Sequence, residues 1–252
     1  MYTFAGKVVW VTGSSTGIGR AAAVEFARHG ADVIVHGNSN MQQAEEVAAE
    51  ITALGRKAML VAGDVGSRPE VERMVAEIRG SWDRIDILMN NAGALIKRAR
   101  LGDLDEELWD EVMNVNLKSV YLVTKAALPL LRNSSAGKVI NVTSIAARNG
   151  GGFGSAAYAA SKGGVSTLTR GLAKDLIEYG ITVNAISPGV IATPFHDRFT
   201  PPEIRSKTLA TIPMGREGTP RESVGAALFL ASDFANYITG EIIEVNGGQL
   251  MD

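Results

Sequence analysis

Short apolar runs alternate with longer stretches of helical periodicity from one end of the chain to the other. Residues 7–12 (KVVWVT), 32–36, 57–62, 85–89, 138–143, 181–187 and 241–245 read as strands, most of them apolar on both faces. Between them, residues 18–29, 41–54, 69–79, 105–132, 156–179 and 221–231 carry helical spacing. Gly30 and Gly55 stand where helices stop, and Pro69 sits in a first turn.

Strands without a polar face, separated by helices, imply parallel βαβ units with both sheet faces covered. Right-handed crossovers then give a single α/β domain spanning residues 1–252. Its expected core is a Rossmann-like doubly wound parallel sheet of about seven strands, with helices on both faces. Residues 188–220 break the rhythm. This segment is proline-rich, with only a short helical pattern near 202–210, and a loop of that length suits a substrate lid at about 190–215.

Composition narrows the chemistry. Of the 252 residues 46% are hydrophobic and 21% charged, with a formal net charge of −2, which gives no general attraction to nucleic acid or anionic lipid. The absence of cysteine excludes thiolate chemistry, and three scattered histidines make no metal site. No stretch has the length of a membrane span and residues 1–7 lack signal-peptide character, so the expectation is a cytoplasmic protein with neither membrane nor nucleic-acid partner.

The 28 glycines matter by position. The first strand runs into Thr12-Gly13-Ser14-Ser15-Thr16-Gly17-Ile18-Gly19 and then a helix. Glycines there let backbone approach a pyrophosphate, while the helix end offers free N–H groups and partial positive charge. No Gly-Lys-Ser/Thr follows, so a dinucleotide fits better than a mononucleotide P-loop ligand. After the second strand, His36-Gly37-Asn38-Ser39-Asn40 contains no carboxylate to grip a ribose hydroxyl, which tilts the cofactor toward NADP(H) over NAD(H). Strand ends further along contribute Asp64, Val65, Asn91, Ala92 and Gly93; Asp64 would either accept from adenine or cap the next helix.

Ser144 follows the fifth strand, and Tyr158 and Lys162 lie four apart on a helix, hence on one face. A cation beside a phenol lowers its pKa from about 10 toward the range useful for proton transfer.

Taken together, Thr12 to Gly19, Asp64, Asn90 to Gly93, Asn116, Ser144, Tyr158 with Lys162, Pro188-Gly189 and the closing Gly240-Glu241 through Gly248 resemble the short-chain dehydrogenase/reductase family. The likeness runs from about residue 5 to the C-terminus, closest to 3-oxoacyl-acyl-carrier-protein reductases and sugar or polyol dehydrogenases. It implies Tyr158 as acid/base, Lys162 as its cationic partner and ribose ligand, Ser144 as substrate-oxygen donor, and Asn116 as keeper of a helix distortion and a proton-relay water. It implies Pro188, Gly189, Ile191 and Thr193 along the nicotinamide, and a homotetramer. Thr16 departs from the basic residue common in NADP-preferring members.

The expected function is hydride transfer between a nicotinamide and a ketone/secondary-alcohol pair, such as a 3-oxoacyl thioester or another small carbonyl compound. The alternative is a sugar, polyol or sugar-acid dehydrogenase, and the remote one a non-catalytic dinucleotide module. Arg98 or Arg148 in the pocket would favour an anionic substrate; His196 and Asp197 suit a polyhydroxy one, and Phe195 and Phe199 an apolar acyl chain.

Overall fold

The computed structural model describes residues 2–39, 41–200 and 202–251. Seven strands, β1 (Val8–Val11), β2 (Asp32–Gly37), β3 (Ala58–Ala62), β4 (Ile87–Asn90), β5 (Lys138–Val142), β6 (Thr182–Pro188) and β7 (Ile242–Val245), form one sheet in the order 3-2-1-4-5-6-7. Every pairing is parallel. Side chains alternate across each strand, so β1 sends Val9 and Val11 to one face and Val8 and Trp10 to the other. All four are buried, because helices cover both faces.

On the first face α1 (Gly17–Arg28), α2 (Met41–Ala53) and α10 (Pro220–Ala231) bury Phe26, Val47 and Leu230 beside Val33 and Val35. On the second, α3 (Arg68–Arg79), α5 (Ser119–Leu131) and α7 (Ala156–Leu176) close over Trp10, Ile34 and Leu88 with Met74, Leu131 and Leu176. Each such side chain contributes roughly 1.5–3 kcal/mol on leaving water. Helix α10 starts on a full capping box: Thr219 accepts from the Glu222 backbone N–H, and the Glu222 carboxylate accepts from that of Thr219.

Residues 105–132, read as one helical tract, divide in three. Helix α4 (Glu106–Met113), capped by Asp105, passes through a π-helical turn at Asn114–Lys118 into α5. A single extra residue in a turn leaves the apolar period nearly intact, so periodicity does not register it. Two short helices also lay below the sequence signal. One is α6 (Ala146–Asn149), ended by Gly150 at φ +79°, and the other α8 (Pro194–Phe199), with Thr193 at its N-cap. The helical pattern near 202–210 is α9 (Pro202–Leu209).

The strand order reverses between β1 and β4, where successive crossovers leave to opposite faces. The carboxyl ends there open a crevice.

Candidate active site

That crevice is a cavity of about 760 Å³, lined at one end by the β1–α1 turn and at the other by Ser144, Tyr158 and Lys162. At the first end the glycines are sterically required. Gly13 has φ +62°, and a Cβ on it would stand 2.9 Å from the Ala92 Cα. A Cβ on Gly19 would meet the Gly13 carbonyl oxygen at 2.2 Å. Gly19 itself does not line the cavity; it is glycine so that α1 can start against the turn. Asn91 pins this turn, its Nδ2 donating to the carbonyls of Thr12 (2.9 Å) and Gly13 (3.0 Å).

Ser15, Thr16, Gly17 and Ile18 face the cavity. Thr16 is the N-cap of α1, yet its side chain makes no capping bond and no acid lies in the first turn. The helix start thus keeps its N–H groups and partial positive charge for an external anion. Asn38 and Ser39 extend the same wall, while Asn40 lies outside the described residues. Asp64 and Val65 form the adjoining rim. The Asp64 carboxylate accepts from Gly66 N–H at 2.8 Å, and Ser67 takes the N-cap position of α3, so Asp64 closes a turn rather than capping the helix. These features fit a dinucleotide laid with its pyrophosphate over α1.

Between the two ends, β4 and β5 are cross-linked by amides. Asn90 Nδ2 donates to Asn141 Oδ1 and Thr124 Oγ1, and Asn141 Nδ2 to Thr169 Oγ1, each at 2.9 Å. The ladder ties the sheet to α5 and α7 directly beneath the chemical end.

There Ser144, Tyr158 and Lys162 come together on one wall with Ala92 and Gly93. The Lys162 ammonium lies 5.8 Å from the Tyr158 ring centroid and donates to the Val142 carbonyl at 2.8 Å. Burial pushes the Tyr158 phenol up to about 12, opposed by a hydrogen bond with Ser144. Burial also draws Lys162 down to about 8. The expected depression of the phenol by Lys162 is therefore not the sign found among the protein's own groups. Removing two charges from water outweighs their attraction at this separation.

Asn116, fully buried in the π turn, does not line the cavity. Its Nδ2 donates to the carbonyls of Ala94 (2.7 Å) and Val112 (2.9 Å), and its Oδ1 accepts from Ala94 N–H at 3.0 Å. A Cβ on Gly93 would stand 2.6 Å from Asn116 Oδ1 and 3.2 Å from Lys162 Nζ, so Gly93 is the thin partition between them.

Pro188, Gly189, Ile191 and Thr193 also line the cavity. Gly189 admits the C-terminal segment, since a Cβ there would meet Asn246 Cβ at 2.7 Å. Thr193 approaches the glycine turn, its Cγ2 lying 3.4 Å from where a Gly17 Cβ would be. Phe195 of α8 sits over Tyr158 with centroids 5.8 Å apart. Arg98 also faces the cavity, donating from Nε to Phe199 O and from Nη1 to Phe153 O; among the described residues it has no carboxylate partner. Arg148 is instead paired with Glu244 at 3.4 Å and lies off the cavity wall. His196 lines the cavity and meets Thr200 Oγ1 at 3.0 Å.

A residue that pattern reading overlooked is His36, whose imidazole is buried between the glycine turn and Gly63. Its place inside an apolar strand was the available signal.

A phosphate cradle and a buried phenol–ammonium pair, facing each other along the carboxyl edge of one parallel sheet, define the class: an oxidoreductase working with a dinucleotide. The chain belongs to the short-chain dehydrogenase/reductase family, and residues 13–249 match the family model described as enoyl-(acyl carrier protein) reductase. It is 39% identical over 243 residues to the 3-oxoacyl-(acyl-carrier-protein) reductase FabG of Thermotoga maritima, covering 96% of this chain and 97% of that one. Among solved structures it superposes on an NADH-dependent reductase of alginate metabolism (TM-score 0.90, 36% identity, 98% of each chain). It matches equally a candidate NAD(P)-dependent gluconate 5-dehydrogenase from Beutenbergia cavernae with bound NADP (TM-score 0.91, 36% identity, 98% of each chain). The protein is an NAD(P)-dependent oxidoreductase acting on a carbonyl/alcohol pair. Among the described residues no helix is long and apolar enough to cross a membrane.

Proposed function

We propose that this enzyme interconverts a small anionic ketone and its secondary alcohol, of the oxo-acid or sugar-acid type, with Tyr158 moving the proton. The nicotinamide, when bound, supplies or accepts the hydride. The phosphate cradle at Ser15 to Ile18, the rim at Asp64, Val65, Asn91 and Ala92, and the wall from Pro188 to Thr193 would hold the cofactor. Ser144 donates to the substrate oxygen, and the Tyr158 hydroxyl hands its proton to that oxygen during reduction and takes it back during oxidation. Lys162 holds the resulting phenolate electrostatically, and its amine would also bind the nicotinamide ribose. The observation that carries this reading is the convergence of Ser144, Tyr158 and Lys162 on one wall of the cavity.

NADP(H) is preferred over NAD(H) in this reading, because the turn after β2 lines the cavity with Asn38 and Ser39 and carries no carboxylate that would grip a ribose 2′-hydroxyl. Residues 190–215 act as the lid, with Phe195 shielding Tyr158 from water. The anion preference rests on Arg98, whose guanidinium faces the cavity without an acid of its own. A 3-oxoacyl thioester is the second reading, favoured by the paired rings of Phe195 and Phe199 at 5.1 Å. Exposed Leu101, Trp109 and Phe153 suit burial in a homotetramer.

Nicotinamide absorbance with a panel of oxo acids, their amides and oxoacyl thioesters tests the proposal. Acids turned over in preference to amides, with Arg98→Met raising KM for acids alone, support it. Turnover indifferent to the carboxylate overturns the anion assignment, and full turnover by a folded Tyr158→Phe variant overturns the proton assignment.

A further inference from the structure

His36 stands at the end of a central strand, 2% exposed, yet every polar group it owns is engaged. Its Nδ1 lies 2.8 Å from Gly13 N, which has a hydrogen to give, so Nδ1 accepts. The ring proton is thereby placed on Nε2, which donates to the Gly63 carbonyl at 2.9 Å. The His36 backbone completes the grip: its N–H donates to Ser14 Oγ at 2.8 Å and its carbonyl accepts from Ser14 N–H at 3.0 Å. One imidazole thus bridges the turn after β1 and the segment after β3, and both line the cavity, as His36 itself does. A hydrophobic side chain would fill this strand position more cheaply, so its conversion to a two-ended polar clasp calls for a reason beyond packing.

We infer that His36 is a positioning residue for the dinucleotide, its neutral imidazole setting the distance between the phosphate-binding turn at Gly13 and the adenosine-side rim at Gly63 and Asp64. The inference rests on the dinucleotide reading above. Gly13 has no side chain to fix it and adopts a left-handed conformation, so its register over α1 depends on bonds made by others. Asn91 holds the Gly13 carbonyl, and His36 holds its N–H. Of the charged groups, Asp64 acts on the ring and favours its protonation, while burial opposes it and keeps the imidazole in the neutral form the bond requires.

The two ring nitrogens can be separated by amide mimics. His36→Asn keeps an acceptor near the Nδ1 position and loses the reach to Gly63. His36→Gln keeps a donor near Nε2 and loses the acceptor for Gly13. His36→Phe keeps the ring and neither bond. Dissociation constants for NADPH and NADH by titration calorimetry, with thermal melts of each variant, read the effect without turnover. The expected result is binding weakened about ten-fold or more in all three folded variants, because each breaks at least one end of the clasp, with the largest loss in the Phe variant. Wild-type affinity in any of the three folded variants overturns the inference, since a bridge cannot work with one end released. Failure of the wild-type protein to bind either nucleotide overturns the dinucleotide reading itself, a result distinct from both.

Discussion

Asn116 and Ala94 hold one another by two hydrogen bonds, side-chain amide to backbone amide, at 2.7 and 3.0 Å. The pair joins the π turn to the loop that carries Gly93, and so fixes the floor under Lys162. Asn116→Ala would leave the N–H and carbonyl of Ala94 and the carbonyl of Val112 without this partner, at about 1–3 kcal/mol for each group that stays buried. Thermal melts should show a clear loss of stability. Steady-state kinetics should show a fall in kcat larger than any rise in KM, because the disturbance is transmitted to Lys162 rather than to the substrate walls.

Lys162 should be costly to stability and necessary to catalysis. Its pKa is depressed to about 8, so the group contributes stability above its unfolded value and loses it as pH falls through about 8. At neutral pH the buried ammonium is therefore a burden on the fold. Lys162→Met is expected to melt at or above the wild-type temperature at neutral pH, with turnover reduced at least about 100-fold. A much lower melting temperature would contradict this account.

The pH dependence should have opposite signs in the two directions. Reduction consumes the phenol proton and oxidation needs the phenolate. As pH rises toward about 12, where burial holds the Tyr158 phenol, the reductive rate should fall and the oxidative rate should climb. Tyr158→Phe should lose about 100-fold or more in both directions and flatten both profiles.

Two glycine-to-alanine substitutions should differ in sign. Gly19→Ala forces a Cβ to within 2.2 Å of a backbone oxygen that has no freedom to yield, and should destabilise by about 1–3 kcal/mol or prevent folding. Gly225→Ala on α10 meets no atom within 4 Å and should stabilise by about 0.5–1 kcal/mol through helix propensity. Chemical denaturation of both variants measures the contrast.

The inner strands were legible because both faces of β1, β4, β5 and β6 are buried, which leaves apolar runs such as Val8 to Val11. The spacing of Tyr158 and Lys162 on α7 marked a shared helix face, and the resemblance supplied their expected roles with Ser144 after β5. The π turn left no mark on the periodicity and was expected only through the family resemblance, which put a helix distortion at Asn116. Not legible at all was the division between Arg98 and Arg148, two loop arginines that a linear reading treats alike: Glu244, on the last strand, takes one and leaves the other facing the cavity.

Sequence alone determined the sheet and its parallel sense, because apolar runs and helical periods are short-range patterns. The glycine turn and the Tyr158–Lys162 spacing gained meaning through their order along the chain and the family likeness it carries. Tertiary structure decided the protonation balance of that pair, the burial of Asn116 and the clasp of His36 on Gly13 and Gly63. These depend on how far groups distant in the chain are withdrawn from water and on which partners they then find, and desolvation is a property of the assembled fold.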